Sequence, residues 1–164
     1  MNRRSLAALL AKFNSPNWCS RIIDGTNEKV RWLPIFELGR NRFGITERGG
    51  WAGEFADRER IRPDTFYAAF WTILERKRSD IVHLLKEAIA SAELPENVIR
   101  TFPFDEVMET ALATTSQWFL CAVSWLEDDY PINAGIATLL PEHKLVLRWQ
   151  KERMDKIIDA SQEL

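Results

Sequence analysis

Carboxylates are the side chains of this sequence most able to do chemistry. Asp105, Glu106 and Glu109 fall close together, and Glu127, Asp128 and Asp129 are consecutive. Paired carboxylates act as general acid and base only where a pocket drives their pKa values apart. Here they fall at the expected ends of helices, where acids stay solvated, so catalysis is not expected of them. His83 has Asp80 and Glu87 at i−3 and i+4, a spacing able to hold a metal. On a helical wheel, however, it lies about 200° from Ile81 and points away from the apolar stripe. A solvated polar face is the better reading. His143 has only Glu142 beside it. Cys19 and Cys121 form neither a CxxC pair nor a zinc spacing, and two unbridged, half-buried thiols are expected. Gly39 and Gly44 give the spacing of a phosphate loop, but Ile45-Thr46 follows where Lys-Ser/Thr is required. No serine lies in GxSxG. The expectation is no catalytic residue, no metal and no cofactor.

Arginine supplies the other constellation. Arg40, Arg42 and Arg48 share a glycine-rich stretch with Phe43 and Trp51, and Arg76-Lys77-Arg78 follow later. Cations that neutralise phosphate, with rings that stack on bases, form the pattern of a nucleic-acid-binding segment. Glu47, Glu54, Asp57 and Glu59 interrupt it, and the chain carries a net charge of −2. A nucleic-acid-associated regulatory module using the 40–62 segment is therefore the alternative reading. An ion-paired surface loop is its plain counterpart.

The elements that must position these residues read as mostly helical. Hydrophobic residues make up 46% and charged residues 28%, the balance of a folded globular domain. Arg3 and Arg4 before a short apolar run mimic a signal peptide. Lys12 ends the run too early, so an amphipathic first helix is expected. No run approaches the length of a membrane span. Proline next to acids marks helix starts at Pro63-Asp64, Pro103-Phe104-Asp105-Glu106 and Pro141-Glu142. Phe66, Tyr67, Phe70, Trp71 and Leu74 have helical spacing, as do Ile81, Leu84, Leu85, Ala88 and Ala92. Phe104 to Glu127 carries the strongest periodicity, broken at Thr114-Thr115-Ser116 because these hydroxyls compete for backbone bonds. A short helix from Ile132 to Leu140 and a last one from Pro141 towards Ala160 complete the series. Six of seven glycines fall in residues 25–53. The conformational cost of glycine argues against a helix at 39–53. The expected fold is thus mostly α, an antiparallel helical bundle or α-solenoid-like helix pairs. One domain spans 1–164, with 25–62 irregular or holding a small β-hairpin near 39–53, and 63–164 as helical core.

The charge is divided along the chain. Residues 1–82 hold 15 Lys/Arg against 10 Asp/Glu, and residues 83–164 hold 7 against 14. Such asymmetry points to partners, or to two halves that attract each other within one fold.

The stretch Thr115-Ser116-Gln117-Trp118-Phe119-Leu120-Cys121-Ala122-Val123-Ser124-Trp125-Leu126-Glu127 carries a resemblance. Acids follow it, then the apolar Ile132 to Leu140, then a terminal helix with Arg148, Lys151, Arg153 and Lys156. This last third of the chain resembles small immunity-type proteins of bacterial polymorphic-toxin and contact-dependent-inhibition loci. The resemblance implies a cytoplasmic, non-enzymatic protein-binding module that neutralises a cognate toxin. Many such toxins are basic, and an acidic surface speeds their capture. On that reading Asp105, Glu109, Glu127, Asp128 and Asp129 are steering charges, and Tyr130 is an aromatic anchor beside them. The implied partner is a protein, with nucleic acid second and no membrane.

Overall fold

The computed structural model describes residues 1–54, 59–114 and 116–142, together with Glu152, Asp155 and Asp159. A short helix α1 (Arg3–Leu10) leads into five strands: β1 (Cys19–Ile23), β2 (Lys29–Leu38), β3 (Asn41–Thr46), β4 (Trp51–Glu54) and β5 (Arg60–Pro63). A 3-10 helix (Tyr67–Glu75), α2 (Arg78–Ser91), a second 3-10 helix (Glu96–Thr101), α3 (Phe104–Leu112), α4 (Gln117–Glu127) and α5 (Ala134–Glu142) follow.

The strands close into a barrel in the order β1-β2-β3-β4-β5. Consecutive strands pair antiparallel, so β1 and β5 run the same way and their closing pair is parallel, Ile22 opposite Arg60 and Ile23 opposite Ile61. This corrects the sequence reading. The molecule is neither a mostly α antiparallel bundle nor an α-solenoid, and the described residues of the 25–62 segment form strands and tight turns. The expected hairpin near 39–53 exists as β3 and β4, but only as part of a closed sheet that begins at Cys19.

The barrel succeeds because its strands have two apolar faces. Val30, Trp32, Ala52 and Ile61 pack with Cys19 and Ile23 inside it. Leu33, Phe36, Phe43, Ile45 and Trp51 turn outward and merge with Leu6 and Leu10 of α1 and the cores of the helices. The pairing of β2 with β3 slips between Pro34 and Phe36, which puts Phe36 on the same face as Leu33. Proline lacks an N–H for the ladder and tolerates such a bulge. Opposite Pro34 stands Gly44, where a Cβ would come 2.2 Å from the carbonyl oxygen of Leu33. Glycine is required there for strand approach, whereas Gly25, Gly39 and Gly49 carry positive φ in turns.

The helical expectations divide. α1 is amphipathic as read, with Leu6 and Leu10 buried and the Asn2 side chain accepting from Ser5 N–H. α2, α3 and α4 match their periodic stretches. Ser116 caps α4 by accepting from Trp118 N–H, which explains the break before it. Pro103 precedes α3 and places Asp105 and Glu106 in its first turn. Pro63, by contrast, ends β5, and the segment after it forms a 3-10 helix, not an α-helix. α5 continues through Pro141, so no new helix starts there. Most of the expected last helix lies outside the described residues. No helix among the described residues is long and apolar enough to cross a membrane.

Three tryptophans tie the elements together by burying their rings while satisfying their N–H groups. Trp51 Nε1 donates to Thr101 Oγ1 at 3.0 Å, Trp71 Nε1 to Thr110 Oγ1 at 3.1 Å, and Trp125 Nε1 to the Arg76 carbonyl at 2.8 Å.

Candidate functional site

Where the barrel meets the helices, a cleft of about 430 Å³ opens. Asp64, just after β5, and Tyr67 form one wall. Asp105 and Glu106, in the first turn of α3, form another, and Arg78 and Tyr130 close it. A second cleft of about 600 Å³ adjoins it, lined by Lys77, Arg78 and Glu127 to Asp129. Arg78 belongs to both.

One buried phenol organises this region. Tyr130 is only 5% exposed, and its hydroxyl donates to the Asp105 carboxylate. Its ring packs 6.0 Å from Trp125, and the Arg78 guanidinium lies 5.0 Å from its centre. Arg78 also donates to the Asp129 carbonyl at 3.3 Å. Burial, and then the hydrogen bond to Asp105, push the phenol far above its ordinary pKa. It stays a donor at physiological pH, and the turn after α4 is tied to the start of α3. Tyr130 is therefore not the exposed aromatic anchor expected from sequence. It is the strut beneath the acidic surface.

The carboxylates of the first cleft are held differently. Burial raises the Asp64 pKa, against the lowering pull of Arg3, whose Nη1 lies 3.5 Å away, and of the Trp51 N–H at 3.3 Å. Burial also raises the Tyr67 pKa, helped by the charges of Glu106 and Asp64. Asp105, Glu106, Glu127, Asp128 and Asp129 are exposed. Together they can take the cationic side chains of a partner through charge-assisted hydrogen bonds.

Five of the six expected partner-binding residues come together here: Asp105, Glu127, Asp128, Asp129 and, from below, Tyr130. Glu109 departs from the group. It is half-buried further along α3, so close to α5 that a Cβ on Gly135 would collide with its carboxylate. Sequence reasoning treated Asp64 only as a helix-start signal and Arg78 only as part of a basic run. The acid beside Pro63 was the available clue to the first. Nothing local marks the second, whose role depends on a turn 51 residues away.

The alternative constellation is dispersed. Arg42 faces the barrel interior, where Nη1 meets Glu54 Oε2 at 2.9 Å. Its Nε lies 3.0 Å from Glu37 but out of line for a hydrogen bond. Arg48 is paired with Glu28. Arg40 is exposed at the turn after Gly39. Arg76 and Lys77 are exposed, and Lys77 lines the cleft that holds Glu127 to Asp129. The expected arginines therefore do not form one phosphate-binding patch.

His83 is largely exposed and meets Glu87 at 3.3 Å, while His143 lies outside the described residues. Among the described residues no group of three or more His, Cys, Asp or Glu is arranged to hold a metal ion. Cys19 and Cys121 are unbridged and half-buried, and burial raises both thiol pKa values. Comparison with protein-family models, with curated proteins and with solved structures finds no match to this chain.

Proposed function

We propose that this chain is a non-enzymatic protein-binding module, an immunity-type inhibitor that neutralises a basic bacterial toxin. The observation that supports the reading is the tie from Tyr130 to Asp105, which gathers two acidic segments onto one face. Exposed carboxylates fixed in register steer a basic partner and reject wrong orientations. The cations beside them are engaged with the fold in at least one case: Arg78 is committed to Asp129 and Tyr130.

A tagged pull-down from the native cell, with a nuclease-treated control and mass spectrometry, tests the reading. A single stoichiometric basic protein that survives nuclease is the expected result. With that partner in hand, Asp128→Asn with Asp129→Asn is expected to slow association by about tenfold at low salt while dissociation changes little. Asparagine is the right probe because Asp129 sits at φ 62, a backbone region that asparagine adopts more readily than lysine. Stopped-flow rates equal to wild type would remove this face from the account.

A further inference from the structure

The barrel has a second face, one that the acidic-surface reading does not use. The helices pack on β2 and β4. The register sets Lys29 of β2, Ile22 of β1 and Arg60 of β5 side by side, with Arg31 opposite Ser20 in the next row. Val30, Trp32 and Ile61 point into the barrel, so the alternation of a strand turns Lys29, Arg31, Arg60 and Arg62 outward. Lys29, Arg31 and Arg62 are exposed and Arg60 partly so.

Three of the acids nearby have partners. Asp24 meets Arg62 at 3.1 Å, Glu28 pairs with Arg48, and Glu47 accepts from the Arg31 backbone N–H at 3.1 Å. Glu59, next to Arg60, is exposed. Among the described residues, Lys29, Arg31 and Arg60 form no salt bridge. The Arg60 guanidinium bonds the Asn27 side-chain oxygen, and the Arg31 guanidinium lies 4.8 Å from the centre of the Trp18 ring. Beyond β5, Phe66 is 51% exposed, with the Arg62 guanidinium 5.4 Å from its ring.

We infer that this β2–β1–β5 face binds a single-stranded nucleic acid. Lys29, Arg31 and Arg60 meet phosphates, and Trp18 and Phe66 offer rings to bases. On this face, charge complementarity and aromatic surface coincide. Lys29, Arg31 and Arg60, which form no salt bridge among the described residues, fit a polyanion, and rings flanked by guanidinium groups fit bases better than they fit an acidic peptide. The sequence alone points to Arg40, Arg42, Arg48 and Arg76 to Arg78 for nucleic-acid contacts, and the face inferred from the strand register uses a different set.

Fluorescence anisotropy of the full chain with labelled oligo(dT) and oligo(rU), over a range of salt concentrations, tests the inference. The expected result is binding whose log K falls with log salt at a slope of about −2, three phosphates at roughly 0.7 each. Lys29→Ala, Arg31→Ala and Arg60→Ala each remove one contact and bring the slope to about −1.4. Circular dichroism confirms that these surface variants fold. Phe66→Ala weakens binding and leaves the slope unchanged, because stacking releases no counterions. Asp128→Asn with Asp129→Asn leaves oligonucleotide affinity within about twofold, so failure of the acidic-face reading is separable from failure of this one. Three results would each overturn the inference: no binding at low salt, a slope indifferent to the three alanine variants, or displacement by polyglutamate as effective as by oligonucleotide. Salt-sensitive self-association without oligonucleotide binding would also overturn it, assigning the face to a second copy of this chain.

Discussion

Glu54 shows how far a residue's role can depart from its local context. It is 1% exposed and held by both Arg21 and Arg42, whose guanidinium groups lie 5.6 and 5.5 Å from the Trp32 ring. In sequence it follows Gly53 in a stretch rich in charge and reads as solvated surface. Arg21, 33 residues earlier, is what makes its burial tolerable. A buried ion group resists the loss of one member, because the remaining charges stay behind in a poorly solvating interior. Glu54→Gln leaves two guanidinium groups facing a neutral amide. We expect a loss of about 3 kcal/mol in urea unfolding. A loss below about 1 kcal/mol, the range of exposed pairs, would show that water reaches the group. Tyr130 makes the same point in reverse, since its aromatic character suggested an exposed anchor and its hydrogen bond to Asp105 makes it internal.

At the scale of elements, α-helices were legible and strands largely were not. α2, α3 and α4 each bury one face at helical spacing, and Ser116 announces the start of α4. β2 hides its nature. Lys29-Val30-Arg31-Trp32-Leu33 alternates as a strand should, with Trp32 towards the barrel interior and Leu33 towards the helices, but Pro34 and the bulge reset the phase, so Phe36 joins Leu33 on the helical side. A pattern buried on two faces loses the period-two signal. Gly44 is the position on which this geometry turns. An added Cβ would meet backbone atoms of Leu33 and Pro34 at 2.2 and 2.8 Å, which cannot move aside as a flexible side chain can. Gly44→Ala should cost about 1–3 kcal/mol and lower the thermal midpoint measurably. A midpoint equal to wild type would mean that β2 and β3 separate freely at this point.

For the whole molecule, the divided charge of the sequence becomes a spatial division between a cation-rich barrel face and an acid-bearing helical face. The two halves share one apolar core, in which Phe43 and Trp51 meet Phe70 and Phe102. Asp64 lies on the seam, within reach of Arg3 from α1 and of the Trp51 N–H. Burial raises its pKa above the ordinary carboxylate value, so the folded state holds this proton more tightly than the unfolded chain does. Its contribution is fully present below the unfolded pKa and declines as pH rises through the folded one. We expect Asp64→Asn, which keeps an acceptor for Trp51, to flatten this part of the stability profile. Urea midpoints measured on both proteins from just below the ordinary carboxylate pKa to neutrality check it. Parallel profiles would show that Asp64 is solvated.

The sequence by itself determined α1 to α4, the break at Ser116, the unbridged cysteines and the split of charge. Each of these rests on interactions within about four residues, or on simple counting. Tertiary structure alone decided the closed barrel, the inward turn of Arg42, the burial of Tyr130, the separation of Glu109 from the other acids and the basic row across β2, β1 and β5. These depend on strand register and on partners tens of residues away, where a shift of one position exchanges inside for outside.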